Sequence, residues 1–362
     1  MTAIHLENLS KSFGAFTALK GMDLEIADGE FVALLGPSGC GKSTTMNMIA
    51  GMLEPSEGSI RFGDREMRGV PMGKRGVGFV FQNYAIFTHM SVYDNLAYGL
   101  KATGVAKPER DRRVKDMADF LHLTPMLNKP SAGLSVNILQ RLAIGRSAIM
   151  EPAIFLLDEP LSNVDAAFRS VMRTELKHLQ RQFRQTMVYV THDQLEAMTM
   201  AARIAVMDHG KLLQVGTPID VYNNPSSVFV ASFLGSPGMN LLKGTTVRTD
   251  QGMRVDLGDA GVSEQLPAAL VGEMPDGKAI IYGFRPEHCR LTSGEGIRMP
   301  VTFVERIGAR TILHMGEKAA SIKGVFDNDV VVQTGDIVTL SIDPANIRLF
   351  DADTGNAIVE KR

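Results

Sequence analysis

The sequence predicts a mostly parallel α/β domain with a helical insertion, followed by an all-β domain. In the first part, short apolar runs alternate with helical patterns, which is typical of a sheet covered by helices. A stretch without strong strand signals interrupts this alternation, and after residue 234 short alternating segments separated by turn residues replace it. We therefore expect a first domain at 1–234, with a helical subdomain at about 92–146, and a second domain at 235–362.

The individual elements are predicted from the spacing of apolar residues. A segment at 168–183 places apolar side chains at helical spacing amid Arg and Lys, which predicts an amphipathic helix, and a charged helical pattern at 109–123 falls in the insertion. The predicted strands of the first domain are the apolar runs 31–35, 77–81, 154–157 and 187–190. Those of the second domain are the alternating segments 279–284, 301–307, 330–333 and 337–342.

Size and charge exclude some classes of protein. A chain of 362 residues with 44% hydrophobic and 22% charged residues has an ordinary globular composition, which excludes a disordered or fibrous chain. Residues 1–234 carry 24 basic and 23 acidic side chains, and residues 235–362 carry 14 and 17. Neither part has the positive excess typical of a nucleic-acid-binding protein, so we expect no nucleic-acid partner, and any affinity for phosphate has to be local.

Cysteine content and hydropathy indicate the cellular location of the protein. The two cysteines, Cys40 and Cys289, cannot form a disulfide framework, and the N-terminal residues lack the apolar stretch of a secretory signal. No apolar run approaches the ~18 residues that a membrane span needs. We expect a cytoplasmic protein, in which any membrane role depends on a partner that supplies the spans.

A phosphate-binding loop follows the first apolar run. Residues 36–44 fit the P-loop pattern and lie between a predicted strand and a predicted helix, as that motif requires. Glycines let backbone N–H groups surround phosphate oxygens, Lys42 neutralises the outer phosphates, and Ser43 can bind Mg²⁺. Cys40 is interpreted as a small residue without a chemical role. The expected phosphate-binding residues are Gly36, Pro37, Ser38, Gly39, Cys40, Gly41, Lys42, Ser43 and Thr44.

Two adjacent carboxylates end the apolar run at 154–157. Asp158 is suited to the Mg²⁺ shell, as is the acid at the end of a second strand in P-loop enzymes. Glu159 is suited to polarising the attacking water, a general-base role worth on the order of 10²–10⁴ in rate. The alternative is a solvated acidic turn before Pro160, which the neighbouring P-loop disfavours.

Polar residues follow two further predicted strands, Gln82 after 77–81 and His192 after 187–190. Ligands of parallel sheets bind beyond the carboxyl ends of the strands, so the sequence predicts that Gly36, Gln82, Asp158 and His192 converge on one nucleotide. His192 would contact the γ-phosphate, and Gln82 would contact the metal ion or the water. An ordinary capped turn is the alternative for either residue taken alone.

The chain resembles the ATPase subunit of an ABC transporter, in the carbohydrate-importer group that includes the maltose and glycerol-phosphate systems. The resemblance covers nearly the whole chain and implies that the cofactors are ATP and Mg²⁺. It is carried by the P-loop, Gln82 in FVFQNYA, LLDEPLSNVD ending at Asp165, YVTHDQLEAM ending at Met198, and two C-terminal pieces, 235–240 and 283–288. The C-terminal pieces resemble the regulatory region of that group, which implies an OB-like fold for the second domain.

The resemblance also implies partners and an adenine contact. Phe13 would stack on adenine, and the alternative is a core residue of an N-terminal strand. Transmembrane permease subunits would contact the region at about 83–100, and a substrate-binding protein would act through the permease. The chain would then lie peripherally on the inner face of the cell membrane.

One motif departs from the family. Members carry the signature Leu-Ser-Gly-Gly-Gln, whose serine and backbone reach the γ-phosphate bound by the opposite subunit of a dimer. Here residues 134–138 read Leu-Ser-Val-Asn-Ile, so Ser135 is kept while both glycines and the glutamine are replaced. Val136 and Ile138 add bulk where a phosphate should come near. We favour a heterodimer with a second ABC ATPase that has a normal signature, and a homodimer is the alternative.

Two functions follow from these observations. The first is an ATPase that energises an importer of a sugar, a polyol such as glycerol, or glycerol phosphate. The second is a regulatory or structural subunit that binds ATP with little turnover, which the altered signature would explain. The mild charge and the C-terminal region disfavour an ATPase of DNA repair or translation.

Overall fold

The computed structural model describes residues 2–250, 252–263, 265–266, 274–316 and 320–358. The chain divides into two compact units, Met1–Ile219 and Asp220–Arg362. The strands of the first unit are β1 (Ile4–Phe13), β2 (Phe16–Ile26), β3 (Phe31–Leu35), β4 (Glu57–Phe62), β5 (Arg65–Glu66), β6 (Val77–Val80), β7 (Ile154–Asp158), β8 (Thr186–Thr191), β9 (Arg203–Asp208) and β10 (Lys211–Gly216). Its helices are α1 (Lys42–Ala50), α2 (Val92–Ala102), α3 (Lys107–Phe120), α4 (Val136–Ala148), α5 (Ala166–Phe183) and α6 (Gln194–Met200).

A mostly parallel sheet organises the first unit. Its strand order is β10-β9-β3-β8-β7-β6, and only the pairing of β10 with β9 is antiparallel. The four predicted apolar runs are the adjacent strands β3, β8, β7 and β6, and β3 and β8 are buried along their whole length. Because these strands are parallel neighbours, their carboxyl ends lie along one edge of the sheet.

A second, antiparallel sheet with the order β2-β1-β4-β5 lies in the same unit. Helix α1 contributes Met46, Met48 and Ile49 to one buried cluster with apolar side chains from both sheets. No sequence pattern predicted this sheet, because its strands are long and irregular. Register shifts interrupt the pairing of β1 with β2 and blur the two-residue alternation that identifies a strand.

The helical insertion consists of α2, α3 and α4, as predicted. Ser91 caps α2 by accepting a hydrogen bond from the Asp94 backbone N–H at 3.0 Å. Gly145 allows close packing within the insertion, since a Cβ there would lie 2.8 Å from a methyl of Leu121 and 2.9 Å from one of Leu96. The last turns of α4 are therefore closely packed within the insertion.

The amphipathic helix predicted at 168–183 is α5, which buries Met172, Leu176 and Leu179. None of the helices in the described part of the chain combines the length and hydrophobicity that crossing a bilayer requires. Helix α7 (Pro218–Asn223) contains the division between the units, and α8 (Val228–Phe233) belongs to the second unit.

The second unit is built on two antiparallel five-stranded sheets. Their strand orders are β12-β11-β13-β19-β20 and β14-β18-β15-β16-β17, and apolar side chains from both form one core. The mostly parallel α/β fold with an all-β C-terminal part is therefore confirmed. The strands are β11 (Asn240–Thr249), β12 (Gly252–Asp256), β13 (Ala279–Phe284), β14 (Cys289–Thr292), β15 (Ile297–Ile307), β16 (Arg310–Met315), β17 (Ile322–Asp327), β18 (Ile337–Ile342), β19 (Arg348–Asp351) and β20 (Ala357–Ile358).

One predicted strand is wrong. Residues 330–333 are not a strand in the structure. Val331 is 91% exposed, so its apolar side chain does not mark a core face. The Gln333 backbone N–H instead donates to Asp336 Oδ2 at 2.8 Å, which closes a turn before β18.

Candidate nucleotide and catalytic site

The P-loop joins the end of β3 to the start of α1. Gly41 adopts a φ of 104° at the N-cap of α1, a backbone conformation that favours glycine. A Cβ at Gly36 would lie 2.2 Å from the carbonyl oxygen of Met207, so no other residue fits there without a shift. The two glycines thus fix the path of the loop into the helix and leave the amide groups of the loop at the helix N-terminus.

The side chain of Lys42 folds back over the loop. Its Nζ donates to the carbonyl oxygens of Gly36 and Pro37, both at 2.8 Å, and the residue is only 5% exposed. Ser43 is exposed and Thr44 is half-buried at the start of α1, while Ser38 and Gly39 are exposed in the loop. Cys40 is buried, and burial raises the pKa of its thiol, which favours the unreactive protonated form.

A hydroxyl and a carboxylate meet beside this loop. Ser43 Oγ donates to Asp158 Oδ1 at 3.1 Å, which joins the start of α1 to the end of β7. Burial raises the pKa of Asp158, and the charge of Glu159 adds to that effect, while Ser43 and Lys42 oppose it. This pair of oxygen ligands suits Mg²⁺. Among the described residues there is no group of three or more His, Cys, Asp or Glu that could hold a metal ion. Mg²⁺ is commonly bound by one or two carboxylates together with substrate phosphates and waters.

Replacing Asp158 with asparagine is expected to raise the melting temperature near pH 7. Since the pKa of Asp158 is higher in the folded state than in the unfolded chain, the folded state holds a proton that the unfolded state has lost, and stability falls as pH rises through that window. Asparagine carries no charge that burial would penalise, so the variant keeps its stability as pH rises. Thermal melts between pH 4 and pH 8 measure the difference, which should shrink toward the acid end.

The matched control is Asp165→Asn, for which the expected sign is opposite. Hydrogen bonds from the Phe168 backbone and from Asn137 lower the pKa of Asp165, so its charge stabilises the fold above pH 4. Asparagine keeps the N-cap of α5 but loses that charge. Equal shifts in the two variants would contradict the assignment of burial as the dominant effect at Asp158.

Two of the predicted catalytic side chains, His192 and Gln82, lie beside the carboxylate of the third, Glu159. His192 Nδ1 lies 3.2 Å from Glu159 Oε2, and Gln82 Nε2 lies 3.5 Å from the same oxygen. The Glu159 backbone N–H donates to the Val190 carbonyl at 3.0 Å, which ties this residue to β8. Glu159 has a φ of 44°, a left-handed conformation that is strained for a residue with a side chain.

Phe13 and Ser135, the two remaining predicted residues, are both exposed. Phe13 is 49% exposed at the end of β1, with Lys11 Nζ 5.2 Å from its ring centroid, so the alternative that it is a core residue is wrong. Ser135 is the exposed N-cap of α4, and its side chain makes no capping hydrogen bond to that helix. In the described part of the chain, no hydrogen bond joins Ser135 to the P-loop.

Several contacts that hold the site together were not predicted from the sequence. Ser162 Oγ lies 3.4 Å from Gln82 Nε2, and Asn163 Nδ2 donates to the Gln82 carbonyl at 3.4 Å. Asn137 Nδ2 donates to Asp165 Oδ2 at 3.3 Å, which joins the altered signature to the N-cap of α5. These partners are 28 to 81 residues apart in the chain, so no local pattern reveals them.

Comparisons with known proteins agree with this geometry. The family model for ABC transporters matches residues 19–162, and the model for the MalK OB fold domain matches residues 235–289. The trehalose/maltose import ATP-binding protein MalK of Thermococcus litoralis is 44% identical, over 99% of this chain and 100% of its own length. The sn-glycerol-3-phosphate import ATP-binding protein UgpC of Yersinia pseudotuberculosis is 42% identical, over 98% of this chain and 99% of its own length.

A solved structure agrees as well. The dimeric structure of a bacterial ABC transporter cassette is similar with a TM-score of 0.55 and 28% identity, over 59% of this chain and 98% of that chain. Full-length identity above 40% to two curated proteins goes well beyond a shared fold. The chain therefore belongs to the ABC transporter family, as an ATPase subunit that carries a C-terminal MalK-type OB-fold domain.

Proposed function

We propose that this ATPase energises the import of a sugar, a polyol such as glycerol, or glycerol phosphate through a separate membrane permease. The observation that carries the proposal is that the two consecutive residues Asp158 and Glu159, at the end of β7, each contact a different set of predicted site residues. Ser43 contacts Asp158, and His192 and Gln82 contact Glu159. Both halves of a hydrolytic site, the part that holds phosphate and the part that activates water, thus lie on the same edge of the sheet.

Each side chain has a distinct role in this proposal. Lys42 and the loop amides hold the phosphates, and Ser43, Asp158 and Gln82 bind Mg²⁺, which supplies charge stabilisation at the phosphates when it is bound. Glu159 accepts a proton from the attacking water. His192, whose ring is 58% exposed, both orients Glu159 and reaches toward the γ-phosphate.

Phe13→Ala is expected to weaken ATP binding about tenfold, because stacking of an aromatic ring on a base is worth ~1–1.5 kcal/mol. The exposed Phe13 lies at a hairpin opposite Phe16, which is 64% exposed and serves as the matched control. Equilibrium titration of the full chain with a fluorescent ATP analogue measures both dissociation constants. An unchanged value for Phe13→Ala would exclude the adenine contact, and equal weakening by Phe16→Ala would assign the effect to the hairpin.

The partners are a transmembrane permease and, through it, a substrate-binding protein. We place the permease contact at about 83–100, where a cleft of roughly 620 Å³ is lined by residues such as His89, Asp94 and Tyr98. Beside it the Phe87 and Tyr98 rings lie 4.7 Å apart, and the Arg146 guanidinium lies 4.3 Å from the Phe87 ring. Binding there would hold the chain on the inner face of the cell membrane. The named cargoes of the relatives support a sugar or a phosphorylated polyol.

The altered signature supports a heterodimer with a second ABC ATPase. Helix α4 begins directly after Ser135, and Val136 is 43% exposed at that end. Val136 in place of a glycine adds bulk where a phosphate would approach the backbone N–H groups at the start of α4, so a homodimer would have two weakened sites. A partner with a glycine-containing signature would complete the site formed by this chain.

Two measurements test these proposals. Affinity purification from membranes followed by mass spectrometry identifies the permease, the binding protein and any second ATPase together. Reconstituted into vesicles, the complex should take up its cargo only with ATP; recovery of the chain without a permease would contradict the transport function. The isolated chain and the co-expressed pair are compared for ATP turnover, and fast cooperative hydrolysis by the isolated homodimer would eliminate the heterodimer.

A further inference from the structure

Arg169 connects two loops that carry catalytic side chains. It lies in the first turn of α5, where its Nη1 donates to Asp193 Oδ2 at 3.0 Å and its Nη2 donates to the Val164 carbonyl at 3.2 Å. Val164 belongs to the segment 159–165 that begins with Glu159, and Asp193 directly follows His192. One guanidinium therefore bonds to both loops.

The residues on either side of His192 are fixed by further contacts. Thr191 Oγ donates to Glu196 Oε2 at 2.7 Å and accepts from the Asp193 backbone N–H at 2.9 Å. Asp193 uses its other oxygen, Oδ1, to cap α6, accepting from the Leu195 backbone N–H at 2.8 Å. His192 itself makes its contact through Nδ1 to Glu159, so its backbone is held while its ring stays exposed.

The planar shape of a guanidinium suits this arrangement better than an ammonium does. Glu196 is 3% exposed and also accepts from the buried Tyr189 hydroxyl at 2.8 Å, and Arg169 Nε lies 3.8 Å from Glu196 Oε1. A planar guanidinium donates to Val164 and Asp193 at the same time while its charge lies close to Glu196, whereas a lysine ammonium is a single point. The contact to Asp193 is only partly exposed, since the side chains are 29% and 25% accessible.

We propose that Arg169 is a positioning residue that sets the geometry between Glu159 and His192 by joining their two loops. The proposal rests on the proposed function for the roles of those two residues. It extends to the signature helix, because Asp165, adjacent to Val164, accepts from Asn137 of α4. Arg169 thus lies between the site formed within this chain and the segment that faces a second subunit.

The test compares Arg169→Gln and Arg169→Lys with Arg181→Gln, an exposed arginine on the same helix. In the full transporter, kcat should fall by about tenfold to 10²-fold in both Arg169 variants, because small misplacement of a catalytic group is costly. The KM for ATP should stay within about twofold. In a His192→Ala background the Arg169→Gln change should lower kcat by less than about twofold further, since a positioning residue acts through the group that it positions.

A second readout does not need turnover. Histidine rings of the full chain are labelled with ¹³C, and the His192 signal among the 8 histidines is assigned with His192→Ala. Arg169→Lys should shift that signal, while Arg181→Gln leaves it in place. An unchanged signal, or a kcat equal to that of Arg181→Gln, would overturn the proposal. If the unsubstituted transporter hydrolyses no ATP, the proposed function fails, and the histidine signal alone decides the role of Arg169.

Discussion

Glu159→Gln is expected to lower kcat for ATP hydrolysis by about 10²–10⁴ and to leave ATP affinity within about twofold. The amide cannot accept the proton of the attacking water, yet it keeps the size of the side chain and its contact distance to His192 Nδ1. Lys42, Ser43 and Asp158, which hold the nucleotide in our proposal, are unchanged. Single-turnover hydrolysis and equilibrium ATP binding, measured on the same purified complex, separate the two effects.

The control for this substitution is Glu57→Gln, an exposed glutamate in β4 that has no place in the site. It should leave both turnover and binding unchanged. Turnover by Glu159→Gln equal to that of the control would show that another group activates the water. Transport that continues unchanged in Glu159→Gln would leave this chain only a binding role in its transporter.

Restoring the signature should raise turnover of the isolated chain about tenfold or more. The variant combines Val136→Gly, Asn137→Gly and Ile138→Gln, which removes the exposed Val136 side chain at the start of α4. Backbone N–H groups aimed at a phosphate lower the energy of the transition state, and each such donor is worth on the order of 10²–10³ in rate. The expected gain in turnover is smaller than that factor because each of the two glycines lowers the stability of the helix by about 1 kcal/mol.

Val136→Ala, which removes bulk without adding backbone freedom, is the control for this variant. Thermal melting of each protein shows that α4 still folds, so that a loss of stability is not mistaken for a lack of effect. A restored signature that leaves turnover at the parent value would show that this segment does not limit hydrolysis. The heterodimer would then lose its main support, because the altered residues would no longer explain a need for a second ATPase.

Much of the nucleotide site could be predicted from the sequence because its residues are contiguous or end a strand. Gly36 to Thr44 form one loop, and Asp158 with Glu159 ends an apolar run. Parallel pairing of β3, β8, β7 and β6 then brings the strand ends together, as the rule for parallel sheets predicts. The contact between Ser43 and Asp158 joins residues 115 apart in the chain and follows from that topology alone.

Other features depended on tertiary contacts that no local pattern encodes. Arg169 looks like one more charged residue on an amphipathic helix, and only the fold places Val164 and Asp193 beside it. The strand predicted at 330–333 does not form, because the Asp336 side chain accepts a hydrogen bond from the Gln333 backbone and closes a turn there. The antiparallel sheet containing β1 and β2 was missed because bulges disturb its alternation.

Nucleotide binding would require Lys42 to exchange the hydrogen bonds that it makes to its own loop. The ammonium gives up two carbonyl acceptors when it turns to phosphate oxygens, so the number of hydrogen bonds that it makes stays roughly constant. What changes is the charge of the acceptors, from neutral dipoles to anions. Hydrogen bonds to ionised acceptors are stronger than those to neutral carbonyls, so we expect this exchange to favour the triphosphate even though no hydrogen bond is added. Because Lys42 is buried, added salt should weaken this contribution less than it weakens a surface ion pair.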